Sequence, residues 1–137
     1  MSFKRKTVLV FGVFDLLHPG HDYFFKKAAK KGKLIVVVAR DTAVFRLKGK
    51  KPNHSERKRL VAVRSISDVT RAILGDIKQG KYSAIKKYRP YLICLGYDQD
   101  GLGRDLRARM KRGELPKIRI IKLKPHEPHR YKSSLMR

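Results

Sequence analysis

Five short runs of β-branched and apolar residues alternate with segments of helical spacing, and this alternation constrains the fold more than any other feature. The runs cover residues 7–11, 34–39, 69–74, 91–95 and 118–123. They are largely apolar on both faces, as strands of a parallel sheet covered on both sides are. Between them, Phe24, Phe25, Ala28 and Ala29 space a helix over residues 21–31, with Gly32 expected as its C′ residue. Residues 40–52 read as a basic loop, after which Asn53 and Glu56 have capping-box spacing and open a helix through Leu60, Val63 and Ile66. Residues 82–88 read as a short helix halted before Pro90, residues 102–111 as another, and Ser133 as the start of a last one. Strands alternating with helices imply βαβ units and a doubly wound α/β sheet of five parallel strands. Ligands of such sheets bind at the carboxyl ends of the strands, near the point where strand order reverses.

The length of 137 residues fits one domain, expected to span 1–137. With 35 Lys and Arg against 11 Asp and Glu the formal net charge is +24, yet a hydrophobic content of 42% supplies a core, so the charge does not signal disorder. Cys94 is the single cysteine, which excludes an internal disulfide and suits a reducing compartment. No apolar run approaches the roughly 20 residues that span a bilayer, and the basic start is not followed by a small-residue cleavage site. A soluble cytoplasmic protein is expected. The charge favours anionic partners without saying which.

Chemistry concentrates after the first strand, in Gly12-Val13-Phe14-Asp15-Leu16-Leu17-His18-Pro19-Gly20-His21. Glycines let backbone approach a phosphate closely, and the following helix offers free N–H groups and the positive end of its dipole. His18 and His21 flank that helix start, where imidazoles can donate to phosphate oxygens. An isolated His-x-x-His would usually be a pair of surface or capping groups; the ten-residue string after a strand reverses those odds.

Gly12-x-Phe14-Asp15-x-x-His18-x-Gly20-His21 resembles the signature of the cytidylyltransferase-like nucleotidyltransferases, and the resemblance covers essentially the whole chain. It implies a Rossmann-like domain in which His18 and His21 contact a nucleoside triphosphate and stabilise charge at the α-phosphorus. Val13 and Phe14 would offer backbone to the nucleotide, with Gly12, Asp15, Pro19 and Gly20 around it. Val13 stands where many members carry Thr or Ser, so no hydroxyl contact is expected there. Tyr131, Ser133 and Ser134 are similar to the family's Ser/Thr-rich motif, whose hydroxyls and helix start hold the outer phosphates. Lys48 is aligned with the family's triphosphate-binding lysine, with Lys50 close behind, and Arg59 with its helix-borne arginine, Arg57 lying two residues away. The ordinary alternative for both basic segments is a solvated charged face.

Leu95-Gly96-Tyr97-Asp98-Gln99 follows the fourth strand, where Gly96 and Asp98 are placed to meet a base or ribose. This phrase, with Val38-Ala39-Arg40-Asp41 and Ala72-Ile73-Leu74-Gly75, resembles the archaeal FAD synthases more than the glycerol-3-phosphate cytidylyltransferases. The resemblance therefore implies ATP as donor and FMN as acceptor, with a magnesium-type ion carried by the triphosphate. A CTP-dependent cytidylyltransferase is the rival within the class, and an RNA-binding module on the same scaffold the rival outside it. Against the latter, the basic residues are dispersed, so nucleic acid is expected to bind only nonspecifically. Gly101-x-Gly103 lacks the context of a dinucleotide fingerprint, His126-Glu127-Pro128-His129 lacks zinc-site spacing, and Cys94 reads as a core residue. No protein-held metal is expected, and a homodimer is left open by the sequence.

Overall fold

The computed structural model describes residues 6–125. The five apolar runs form β1 (Thr7–Gly12), β2 (Lys33–Val38), β3 (Arg71–Leu74), β4 (Leu92–Leu95) and β5 (Arg119–Lys122). All pair in parallel, in the order β3-β2-β1-β4-β5. The chain winds outward from β1 through β2 to β3, then crosses back to lay β4 on the other side of β1. Strand order thus reverses between β1 and β4, the place where a doubly wound sheet opens a crevice.

Alternation along the strands divides the core in two. Val8, Val10, Val36 and Cys94 face α1 (Pro19–Ala29) and α3 (Glu56–Arg64), through Phe25, Ala28, Leu60 and Val63. Leu9, Ile35, Val37 and Ile93 face α4 (Ser83–Tyr88) and α5 (Asp100–Lys111), through Ile85, Leu106 and Met110. Helices cover both faces, as expected. None among the described residues is long and apolar enough to cross a membrane.

Three local expectations change. The segment expected as a basic loop contains α2 (Asp41–Lys48), whose charged sequence buries only Val44 and whose start is tied down from a distance: the Glu56 carboxylate accepts from the Asp41 N–H at 2.8 Å. That contact removes Glu56 from the expected capping box. The cap of α3 is instead Ser55, whose Oγ accepts from the Lys58 N–H at 3.2 Å, while the Asn53 N–H donates to Asp15. Finally, α1 begins at Pro19, a favoured first helical residue, and is C-capped by Lys30, so Gly32 is not its C′ residue. A Cβ at Gly32 would lie 2.3 Å from the Lys6 carbonyl oxygen, so close chain approach explains that glycine. The last helix, expected from Ser133, lies outside the described residues.

Candidate active site

The loop from β1 into α1 is built around Phe14. Its φ of 52° lies in the left-handed region, a conformation that costs a non-glycine residue about 1–3 kcal/mol. The turn sends the ring back beneath the loop, where it is buried, tilted against Phe25 at 5.0 Å and edge-on to His21 at 5.4 Å. Gly12 is the consequence: a Cβ there would sit 2.3 Å from the Phe14 ring.

His18 is the N-cap of α1 and His21 its third residue, joined in a reciprocal capping box. The Gly20 N–H donates to His18 Nδ1 at 3.1 Å, and the His18 N–H donates to His21 Nδ1 at 3.3 Å. Since both Nδ1 atoms accept, each neutral ring carries its proton on Nε2. The rings stack at 3.9 Å, only 29° from parallel. Burial lowers the His21 pKa and the adjacent His18 lowers it further, outweighing Asp22 and Asp98, so His21 is neutral at physiological pH. The sequence posed capping and phosphate contact as alternatives. In the structure capping consumes Nδ1 of each ring and leaves two Nε2–H donors.

Two polar clips hold this loop. The Asp15 carboxylate accepts from the N–H groups of Asn53 and His54 at 2.7 and 2.8 Å. Burial would raise the Asp15 pKa, but these two donors and the His54 imidazole outweigh it and hold the carboxyl below its ordinary value. Arg59 is the second clip and the one buried charged residue among those described. Its Nε donates to the His54 carbonyl at 2.9 Å, Nη1 to those of Val13 and Ala39 at 2.9 and 2.7 Å, and Nη2 to the Asp41 carboxylate at 2.7 Å. The guanidinium of Arg59, expected at the triphosphate, is engaged beneath the site in this structure, joining β1, β2 and α3. It does not line the cleft.

An open cleft of about 1840 Å³ runs along the carboxyl edge of the sheet. Predicted residues 12–15 and 18–21 form one wall, Lys48 at the end of α2 another, and Gly96 and Asp98 after β4 a third. Lys50 and Arg57 are not brought to it. Tyr131, Ser133, Ser134 and the residues 126–129 lie outside the described residues. Among the described residues no three His, Cys, Asp or Glu side chains gather as a metal cage.

Sequence reasoning missed several residues. Gln99 bridges the switch point, donating from Nε2 to the Phe11 carbonyl and accepting from the Gly96 N–H, both at 2.8 Å. Its position three residues after a strand-ending glycine was the available signal. Arg40 donates to the Gly75 carbonyl at 2.8 Å and pairs with Glu56 at 3.2 Å, tying the ends of β2 and β3 together. Tyr82 and Asp105 also line the cleft, and no local pattern marked either.

The cytidylyltransferase-like family model matches residues 9–136. An FAD synthase of Aciduliprofundum boonei is 41% identical over 120 residues, covering 87% of this chain and 78% of that protein. One of Pyrococcus abyssi is 38% identical over 130 residues, covering 94% and 84%. Among solved structures, a lipopolysaccharide core biosynthesis protein of Thermoplasma volcanium superimposes with a TM-score of 0.79 at 33% identity, covering 89% of this chain and 98% of that one. A pantothenate synthetase of Thermus thermophilus shares the fold alone, with a TM-score of 0.62 at 9% identity over 87% of this chain and 55% of that one.

Proposed function

The chain belongs to the cytidylyltransferase-like family, and from that premise we propose that it is an FMN adenylyltransferase, joining ATP and FMN to give FAD and pyrophosphate. An oxygen of the FMN phosphate attacks the α-phosphorus of ATP. The bond from that phosphorus to the oxygen bridging to the β-phosphate breaks, and pyrophosphate leaves with the electron pair. The attacking phosphate is already ionised, so no protein base or nucleophile is required. The protein contributes alignment of the two phosphates and donors aimed at the charge that develops between them.

The observation that carries this reading is the pair of stacked imidazoles at the start of α1, with both Nδ1 atoms engaged and both Nε2–H groups left as donors at the mouth of the cleft. Capping alone is served by Ser, Thr, Asp or Asn; imidazoles at both positions add two donors beside a helix N-terminus, where phosphate is favoured. In this reading His18 and His21 donate to α-phosphate oxygens and Lys48 meets the outer phosphates. Residues 12–15 surround the nucleotide while Gly96 and Asp98 face its base or ribose. A magnesium-type ion enters as the triphosphate's counter-ion, since hard cations suit phosphate oxygens. The cleft exceeds the roughly 300–1,000 Å³ of a typical single-ligand pocket, which supports two ligands held together.

The test is pyrophosphate release by purified protein given ATP or CTP with FMN, glycerol 3-phosphate or other phosphorylated acceptors. The expected result is release with ATP and FMN and formation of FAD. Release confined to CTP with a small acceptor would replace FMN adenylyl transfer with cytidylyl transfer.

A further inference from the structure

We propose that the cleft contains a dedicated aromatic shelf, with Tyr82 as its end wall, that takes the planar ring system of the acceptor. The inference rests on the FMN adenylyltransferase reading and concerns a part of the cleft that the histidines do not reach.

Phe11, Val37 and Ile73 occupy one register row across β1, β2 and β3, because Phe11 pairs with Val37 and Val37 with Ile73. Register partners point to the same face, here the face packed by α4 and α5. Phe11 and Ile73 are only half-buried, and with Tyr82 they line the cleft. His18 and His21 lie beyond Gly12 beside Phe14, which belongs to the core of the opposite face. The cleft therefore passes over the carboxyl edge of the sheet, with the imidazoles at one end and, at the other, a floor of Phe11, Val37 and Ile73 rimmed by charged side chains including Asp76, Lys87 and Asp105.

Tyr82 lines the cleft at that end and is held from several directions. Its φ of 48° is in the left-handed region, strain that persists only where surroundings over-determine it. The hydroxyl donates to Asp105 at 2.6 Å, and the same carboxylate oxygen accepts from Arg109 Nε at 3.0 Å. The Arg109 guanidinium lies 5.7 Å from the ring centroid, and Phe11 meets the ring edge-on at 6.1 Å. Burial and the Asp105 hydrogen bond raise the phenol pKa, so the hydroxyl stays a neutral donor. A tyrosine this immobilised offers a flat wall at little entropic cost.

The shelf suits the acceptor's ring better than the donor's base. Three adjacent strands span roughly 10 Å, the length of three fused rings and not of two. On the other side of β1, Gln99 holds the switch point together from within, and the Asp98 carboxylate beside it lines the cleft, which suits a base and ribose that need hydrogen bonds. The two ligands would then meet over Gly12, in front of the histidines.

Steady-state kinetics on wild type, Tyr82→Leu and Phe11→Leu, each checked for folding by circular dichroism, tests the shelf. Quenching of FMN fluorescence in the presence of a non-hydrolysable ATP analogue gives acceptor affinity without turnover. The expected result is that each variant raises the KM and Kd for FMN about tenfold, within the range of ring stacking on aromatic side chains, while the KM for ATP moves less than twofold. A raised KM for ATP with that for FMN unchanged would assign the shelf to adenine and overturn the proposal. Unchanged constants for both, in folded variants, would also overturn it. If wild-type protein made no FAD, the reaction itself would fall and the shelf's assignment with it; FAD formation with an unmoved FMN constant sinks the shelf alone.

Discussion

Replacing Arg59 by Met keeps most of the side-chain volume and removes every donor beneath the candidate site. Four hydrogen bonds disappear: three to the carbonyls of His54, Val13 and Ala39, and one to the Asp41 carboxylate. The Arg59 side chain is fully enclosed, so water does not readily replace it there. Each carbonyl bond contributes about 1 kcal/mol net, somewhat more because the donor is charged. Asp41 is 40% exposed and rehydrates, so its loss counts for little. The sum is about 3–4 kcal/mol, a large share of the 5–15 kcal/mol typical of a domain. At this chain length it lowers Tm by roughly 10–15 °C. Calorimetry or urea denaturation measures the loss. Turnover should fall too, because the Val13 carbonyl anchors the strained Phe14 turn. Arg59→Lys should recover only part of the stability, since an ammonium cannot reach carbonyls fanned around a planar guanidinium. A loss under 1 kcal/mol together with a raised KM for ATP would refute the clip and restore Arg59 to the triphosphate.

His18→Asn separates capping from chemistry: asparagine is a good N-cap, so stability should hold within about 0.5 kcal/mol, while kcat falls at least about a hundredfold through loss of the Nε2–H donor. Near-normal turnover would count against the phosphate role. Stability should decline on acidification in two stages. The His21 contribution is complete above pH 6.5 and is lost as pH falls through its lower folded pKa. That of Asp15 is complete above 3.8 and is lost as pH falls through its own lower folded value, so in pH-dependent urea denaturation Asp15→Asn should flatten the most acidic part of the profile. Cys94 is fully buried with its thiol pushed up to about 11 by burial, so a disulfide-exchange reagent should label it only after unfolding.

Helix α2 was missed because its stability is not local: one buried side chain would not sustain eight residues alone, and the Glu56 carboxylate that secures its start lies fifteen positions beyond Asp41. The burial of Arg59 was legible: it precedes Val63 by four and so shares the buried face of α3, although it stands in a run of four charged residues.

Strand positions and the histidine turn were determined by the sequence itself, because each depends on contiguous residues, and the helices between the strands implied parallel pairing. An apolar run is covered on both faces wherever it lies, and a strand-to-helix turn with Pro19 and two histidines forms its cap from its own backbone. Tertiary structure alone decided which groups remain free at the site. Asp15, Arg59 and Gln99 are spent on carbonyls and N–H groups dozens of residues away, Tyr82 is pinned by a carboxylate two elements later, and the Phe11–Val37–Ile73 row exists only once three strands align. Hydrogen bonding saturates: a donor used inside the fold is lost to a ligand, and only the folded chain shows which donors have been used.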